Sequence, residues 1–278
     1  MKGFDTFVMV DWSGGNDTGP RARKDAIWAC VARGSAAEVP VYLRNRALAQ
    51  EWLADLIDTE LTAGRRVALG FDFPFGYPTG FAAEMTGKPD PLALWQWFAD
   101  RIEDTPKANN RFDLAGEINL SLGSGPQRPG PFWGNGLRRD IPGLPRRKVR
   151  YHNPFADRRA VEHRAKGSFT CWQMSGVGAV GGQIMMGLPV LHRLRAGFAP
   201  HVAVWPFEPL DAPVALLEIW PSLTTPPAPD GWIKDAWQVH CVALDLARRP
   251  VADLNRYLNV TAPIALEEGW IFAVEPDR

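Results

Sequence analysis

Four acidic residues stand where acids are costly, at the ends of apolar runs or on a core-facing stripe. Asp11 ends the strand-like "VMVDWSGG" (8–15), and Asp72 follows the buried run in "VALGFDFPFG" (67–76). Glu218 lies inside "ALLEIWPS", and Asp235 begins the amphipathic stretch from 233 to 249. A buried carboxylate is unfavourable unless it is paired or bound to a cation. Several gathered at one edge repel one another, and a hard divalent ion such as Mg2+ or Mn2+ relieves that repulsion with oxygen ligands. Two such ions ~3.5–4 Å apart activate water and stabilise a leaving oxygen in phosphoryl transfer. The expectation is that Asp11 and Asp72 bridge a metal, that Asp235 completes its shell, and that Glu218 binds metal or orients the attacking water. Two of the acids also have a plainer reading: Asp11 before Ser-Gly-Gly as a turn residue, Asp235 as a partner of its helix dipole.

A second group of residues suits an anion. Arg111 in "ANNRF" and Arg159 in "RRAVE" can grip phosphate through two parallel N–H donors. Glu162 stands three residues after Arg159, so a surface ion pair at helical spacing is an equal alternative. "GVGAVG" (176–181) satisfies G-x-G-x-x-G, but "FTCWQMS" before it makes a poor first strand for a dinucleotide fold. The first acid after a following strand, Glu208, is also too distant for a ribose contact. A phosphate at the N-terminus of the next helix is the better expectation, with Gly178 and Gln183 in contact and Ser13 reaching it from beside Asp11.

The elements that must position these groups can be read from periodicity. Residues 6–12, 26–33 and 39–44 read as three strands joined by short connections, an antiparallel meander. Residues 47–63 have helical spacing, with Leu48, Trp52, Leu56 and Leu61 among the apolar positions and Gly64 as C-cap. Residues 66–73 form a further buried strand. A helical crossover makes that strand parallel to the first, so that Asp11 and Asp72 lie side by side at the sheet's C-terminal edge. Helices are expected at 91–104, 182–197 and 233–249, and strands at 201–207 and 213–220, with "EEGWIFAV" as a closing strand. On the 233–249 helix, Asp235 shares a stripe with Val239, Val242 and Leu246, whereas Asp245 is off it. Residues 105–170 are rich in Pro, Gly, Asn and Arg and read as a long irregular insertion in one α/β domain spanning 1–278.

Bulk composition narrows the classes. Of 278 residues, 46% are apolar, and Lys+Arg equals Asp+Glu at 31 each. Residues 137–166 nevertheless hold ten Lys/Arg against Asp140, Asp157 and Glu162, a cationic segment on an acidic body. Cys30, Cys171 and Cys241 are odd in number and far apart, which argues against a disulfide framework, and no zinc-like spacing is present. Neither a signal peptide nor an apolar run of membrane length is visible, so a cytoplasmic protein with no membrane partner is expected. The five histidines form no nucleophile–base arrangement, and His240 reads as packed or solvated. The tryptophans read as core residues.

The β-β-β-α-β order, "VDWSG", "GFDFPFG" and a helix opened by "KDA" together resemble the ribonuclease H-like superfamily. A bacterial branch of it carries strings similar to "DAIW", "GFDFPFGYP", "NNRF", "GPFWG", "RRAVE", "EIWPSL", "KDAWQV" and "EEGWI" across nearly the whole chain. The resemblance implies a mixed sheet flanked by helices and a metal held by Asp11, Asp72 and Asp235, as in nucleases, resolvases and integrases. Nucleases of the superfamily commonly take a glutamate from the first helix, which here offers Glu51 and Glu60; Glu218 is the expected replacement. Members of the branch are often labelled molybdopterin guanine dinucleotide synthesis proteins, a chemistry for which these residues carry no signature. The leading expectation is a metal-dependent phosphoester hydrolase, nucleases included, acting on a nucleotide or nucleic acid. A nucleotide-binding phosphotransferase of the actin and sugar-kinase type is the second reading, though no internal repeat is seen. A non-catalytic module binding an anionic partner is the third.

Overall fold

The computed structural model describes residues 3–123 and 128–275. Its centre is a mixed sheet. β1 (Thr6–Asp11) pairs antiparallel with β2 (Ile27–Arg33), which in turn pairs antiparallel with β3 (Ala36–Ala37) and β4 (Val41–Leu43). On its other side β1 runs parallel to β5 (Val67–Phe71), followed by the parallel strands β7 (Val214–Glu218) and β6 (Val202–Val204). The strand order is β3-β2-β1-β5-β7-β6, with β4 beside β2.

β1 is apolar throughout because both of its faces are covered. Val8 and Val10 join Ile27, Leu69 and Phe71 in one core layer, while Phe7 and Met9 join Cys30, Ala68 and Leu217 in the other. Helices α1 (Arg46–Thr62), α3 (Pro91–Ala99) and α6 (Val180–Gly197) contribute to the first layer. Helix α7 (Lys234–Arg248) covers the second, lying on β1 and β2 through Val239, Val242 and Leu246.

Several elements differ from the sequence reading. α1 buries Ala49, Leu53 and Ile57, a stripe at i, i+4 and i+8; Leu48 is exposed and Trp52, Leu56 and Leu61 only flank the core. Gly64 (φ +67) follows the helix end as expected, its N–H donating to Leu61 O. The region from 105 to 170 is not wholly irregular. It contains α4 (Arg111–Ser121), with Phe112, Leu114 and Ile118 buried, and a single turn α5 (Ala160–Arg164). Residues 124–127, within its Pro/Gly-rich stretch, lie outside the described residues. The last segment is a short helix α9 (Ala265–Glu268), after which Ile271 makes only one bridge, to Glu218. Two further helices, α2 (Phe81–Thr86) and α8 (Val251–Leu258), complete the chain. All three cysteines are free. Among the described residues no helix is long and apolar enough to cross a membrane.

Candidate functional site

Asp11 and Asp72 become neighbours through register. Val10 pairs with Phe71, and the Asp72 N–H donates to Val10 O at 3.0 Å, so the next residue on each parallel strand is the acid. Alternation places both carboxyls on the α7 side of the sheet, following Phe7 and Met9 on one strand and Ala68 and Gly70 on the other. The first turn of α7 brings Asp235 to the same edge. Its Oδ2 accepts the Asp25 N–H at 2.7 Å, which ties α7 to the loop before β2. These side chains open into a cavity of about 750 Å3.

The electrostatics of the acids are mutual. Burial, then the charges of Asp72 and Asp235, hold the Asp11 carboxyl well above its usual range, with Lys234 pulling the other way. Burial, then Glu218 and Asp235, push Asp72 up to about 7. Burial also raises Asp235. Asp11 and Asp72 titrate as a pair, and burial with their mutual repulsion holds both towards the protonated form. Lys234 was not among the expected site residues, although "KDA" contains it; it lines the cavity and is the cation opposing all three acids. Asp25 lines it too, from a left-handed backbone position (φ +56) that the sequence did not mark.

Glu218 has a different job from the one expected. It pairs in register with Phe71, so its side chain leaves β7 on the face opposite that of Asp72. Arg159 grips it through two N–H donors at 2.5 and 2.8 Å, and the Phe75 N–H donates to its Oε2 at 3.0 Å. Arg159 is fully buried and also donates to Glu162 (2.9 Å) and to the Glu268 carbonyl (2.9 Å). With those donors committed, Arg159 is not a phosphate clamp, and Glu162 is its buried counter-ion, not a surface partner or substrate contact. The three residues form a charged brace under the cavity, joining α5, β7 and α9. Buried ions of this kind persist only when fully paired.

The first-helix glutamates are also away from the acids. Glu60 is buried against Thr6, Arg33 and Arg65 at the far end of β1, and Glu51 is exposed.

The opposite wall is cationic. Arg111, first residue of α4, has a buried Nε with no hydrogen-bond partner, and burial next to Arg46 lowers its pKa to about 10. It lies against Gly182, where an added Cβ would sit 3.4 Å from that Nε. Gly182 is in the first turn of α6, whose N-cap Ala179 provides no side-chain acceptor. The glycine loop leads into this turn with Gly176 and Gly178 at φ +92 and +77, conformations favoured by glycine. Gly14 touches the same turn: a Cβ there would be 2.6 Å from Gly182 O. Gln183 Nε2 donates to Trp12 O at 2.7 Å, which fixes α6 to the tip of β1. Ser13 Oγ accepts the Gly15 N–H at 3.2 Å, so its role visible here is to hold the turn. Trp12 Nε1 is buried without a partner.

The cationic segment 137–166 is largely spent on internal bonds. Arg139 pairs with Asp113, Arg146 with Asp140, and Lys148 with Asp157.

All ten residues singled out from the sequence line one cavity. They divide into half-buried charged groups facing the cavity (Asp11, Asp72, Asp235, Arg111), loop and helix-start residues (Ser13, Gly178, Gln183) and buried support (Arg159, Glu162, Glu218). Among the described residues no three His, Cys, Asp or Glu side chains close as a ready-made metal cage. A pair of adjacent, unneutralised carboxyls still suits Mg2+, which commonly takes one or two carboxylates, keeps waters and is completed by substrate phosphate. No family model, no curated protein and no solved structure matches this chain.

Proposed function

We propose that the protein is a ribonuclease H-like, divalent-metal-dependent phosphoester hydrolase acting on a nucleotide or nucleic acid. The observation that carries this reading is the apposition of Asp11 and Asp72, two carboxyls without hydrogen-bonded cations, in a cavity also lined by Arg111, whose buried Nε has no partner while one Nη donates to Asn109. The β1-β2-β4 antiparallel set, with the two-residue β3 beside β2, followed by α1 and the parallel β1–β5 pair, supports the fold assignment.

Asp11 and Asp72 would hold Mg2+ or Mn2+, with Asp235 beside them. A cation bound there supplies an acidified water and charge stabilisation at a developing oxyanion. Arg111 and the first turn of α6 bind the phosphoryl oxygens, the one by its guanidinium, the other by the backbone N–H groups of Gly182 and Gln183, those of Val180 and Gly181 being engaged by Gly178 O and Gln173 O. Lys234 neutralises part of the acid charge when no cation is present. Glu218, Arg159 and Glu162 hold the floor of the cavity rigid and take no part in proton transfer.

The test is Mn2+ titration by calorimetry, paired with hydrolysis of bis(p-nitrophenyl) phosphate. Asp11→Asn and Asp72→Asn are each expected to weaken Mn2+ binding by at least about tenfold, equivalent to ~1.4 kcal/mol, and to abolish hydrolysis. Unchanged Mn2+ binding in both variants would refute the reading.

A further inference from the structure

We propose that the substrate is a free mononucleotide and that Phe169 is the platform on which its base stacks; this rests on the phosphoester reading of the same cavity. Phe169 is 44% exposed, a large apolar surface left open, and it lines the cavity. Its ring lies against Gly178, where any side chain would overlap it. Its backbone is pinned on both sides. Arg158 donates to Ser168 O at 2.7 Å and Ser168 Oγ to Glu162 O at 3.1 Å, while Thr170 Oγ1 donates to Asp157 O at 2.6 Å. The ring is thus displayed by a fixed segment, at low ordering cost for a ligand that stacks on it.

Phe169 and the start of α6 are joined through the glycine loop. Gly178, beneath the ring, is two residues before the first turn of α6, where Gly182 lies against Arg111. A phosphate at that turn leaves a base directed along the loop towards Phe169. Gln238 and Ser222, hydrogen-bonded at 3.4 Å, line the same cavity and present amide and hydroxyl groups able to read a base edge.

Two observations favour a monomeric nucleotide over a polymer. The cavity volume of about 750 Å3 lies in the range of small-ligand sites. Within the basic segment, which would otherwise offer a backbone track, Arg139, Arg146 and Lys148 are paired with Asp113, Asp140 and Asp157, and Arg159 is buried. Polymer binding relies on several free cations along the phosphates.

The experiment measures, by calorimetry, affinities for the four common nucleoside monophosphates, for ribose 5-phosphate and for an eight-residue single-stranded oligonucleotide. Wild type, Phe169→Ala and Phe169→Trp are compared. Loss of a base–aromatic stack is expected to weaken nucleotide binding by roughly tenfold in Phe169→Ala. Ribose 5-phosphate and Mn2+ affinities should stay the same, and Phe169→Trp should restore nucleotide binding. The proposal is overturned by no mononucleotide binding to wild type, by equal losses for nucleotide and ribose 5-phosphate, by no loss in Phe169→Ala, or by an oligonucleotide that binds more tightly than any mononucleotide. Mn2+ binding without nucleotide binding would sink this inference and leave the hydrolase reading standing. Nucleotide binding without a Mn2+ site would overturn the hydrolase reading and, with it, the claim that the bound nucleotide is a substrate.

Discussion

Replacing Asp72 by asparagine should stabilise the protein at neutral pH. The carboxyl titrates near 7 in the fold instead of its ordinary 3.8, so the folded state holds a proton that the unfolded chain has released. An acid with a raised folded pKa adds full stability below the unfolded value and loses it as pH rises towards the folded one. The window here is about pH 4 to about pH 7. At ~1.4 kcal/mol per unit, three units correspond to ~4 kcal/mol; because the carboxyl meets water in the cavity, about half of that is expected. The stability difference between Asp72→Asn and wild type should therefore grow by about 2 kcal/mol from about pH 4 to about pH 7.5. Urea unfolding at the two pH values reads this directly, and the corresponding rise in melting temperature is roughly 4–8 °C. Removing the Asp72 charge also relieves Asp11, on which it is the largest influence after burial. Mn2+ should raise the melting temperature of wild type and not that of the variant. A variant that is less stable than wild type at about pH 7.5, or a difference that does not change with pH, would refute the claim that these two acids strain the fold.

Three other outcomes follow from the same contacts. Arg159→Met strands Glu162 and Glu218 in the interior and should cost about 3–5 kcal/mol, seen as a large drop in melting temperature. Arg111→Ala should weaken inorganic phosphate binding by about tenfold while leaving the melting temperature unchanged or higher, since it removes a poorly compensated buried charge. Gly14→Ala places a methyl 2.6 Å from Gly182 O, so the tip of β1 and the start of α6 must separate; a loss of ~1–3 kcal/mol in urea unfolding, with weaker phosphate binding, is expected.

Much of the frame is legible in the chain because it depends on local periodicity. Strands β1, β2 and β5 and helices α6 and α7 are strong apolar patterns, and each forms within a few residues of its expected span. Helix α4 was hidden because its neighbours are rich in Pro and Gly and only part of it is apolar. The terminal "EEGWIFAV" has strand-like composition, yet Trp270, Ile271 and Phe272 are buried one by one under other elements without a ladder. In the site, Lys234 was overlooked because a lysine beside an aspartate on a helix is ordinarily a solvated face. Phe169 carried no signal at all, since exposure is not written in a sequence.

The sequence by itself determined that Asp11 and Asp72 meet: two apolar strands joined through a helical crossover run parallel, and each ends in its acid. What it left open was the register of β7 against β5, which links residues about 150 apart. A side chain changes face with every residue along a strand, so that register puts Glu218 on the face opposite that of Asp72 and in the grip of Arg159, although its charge still acts on Asp72. The same long-range packing decided that Arg159 and Glu162 are buried and fully paired while the buried Nε of Arg111 is left without a partner. Burial is a property of what surrounds a residue, and those surroundings come from every part of the chain.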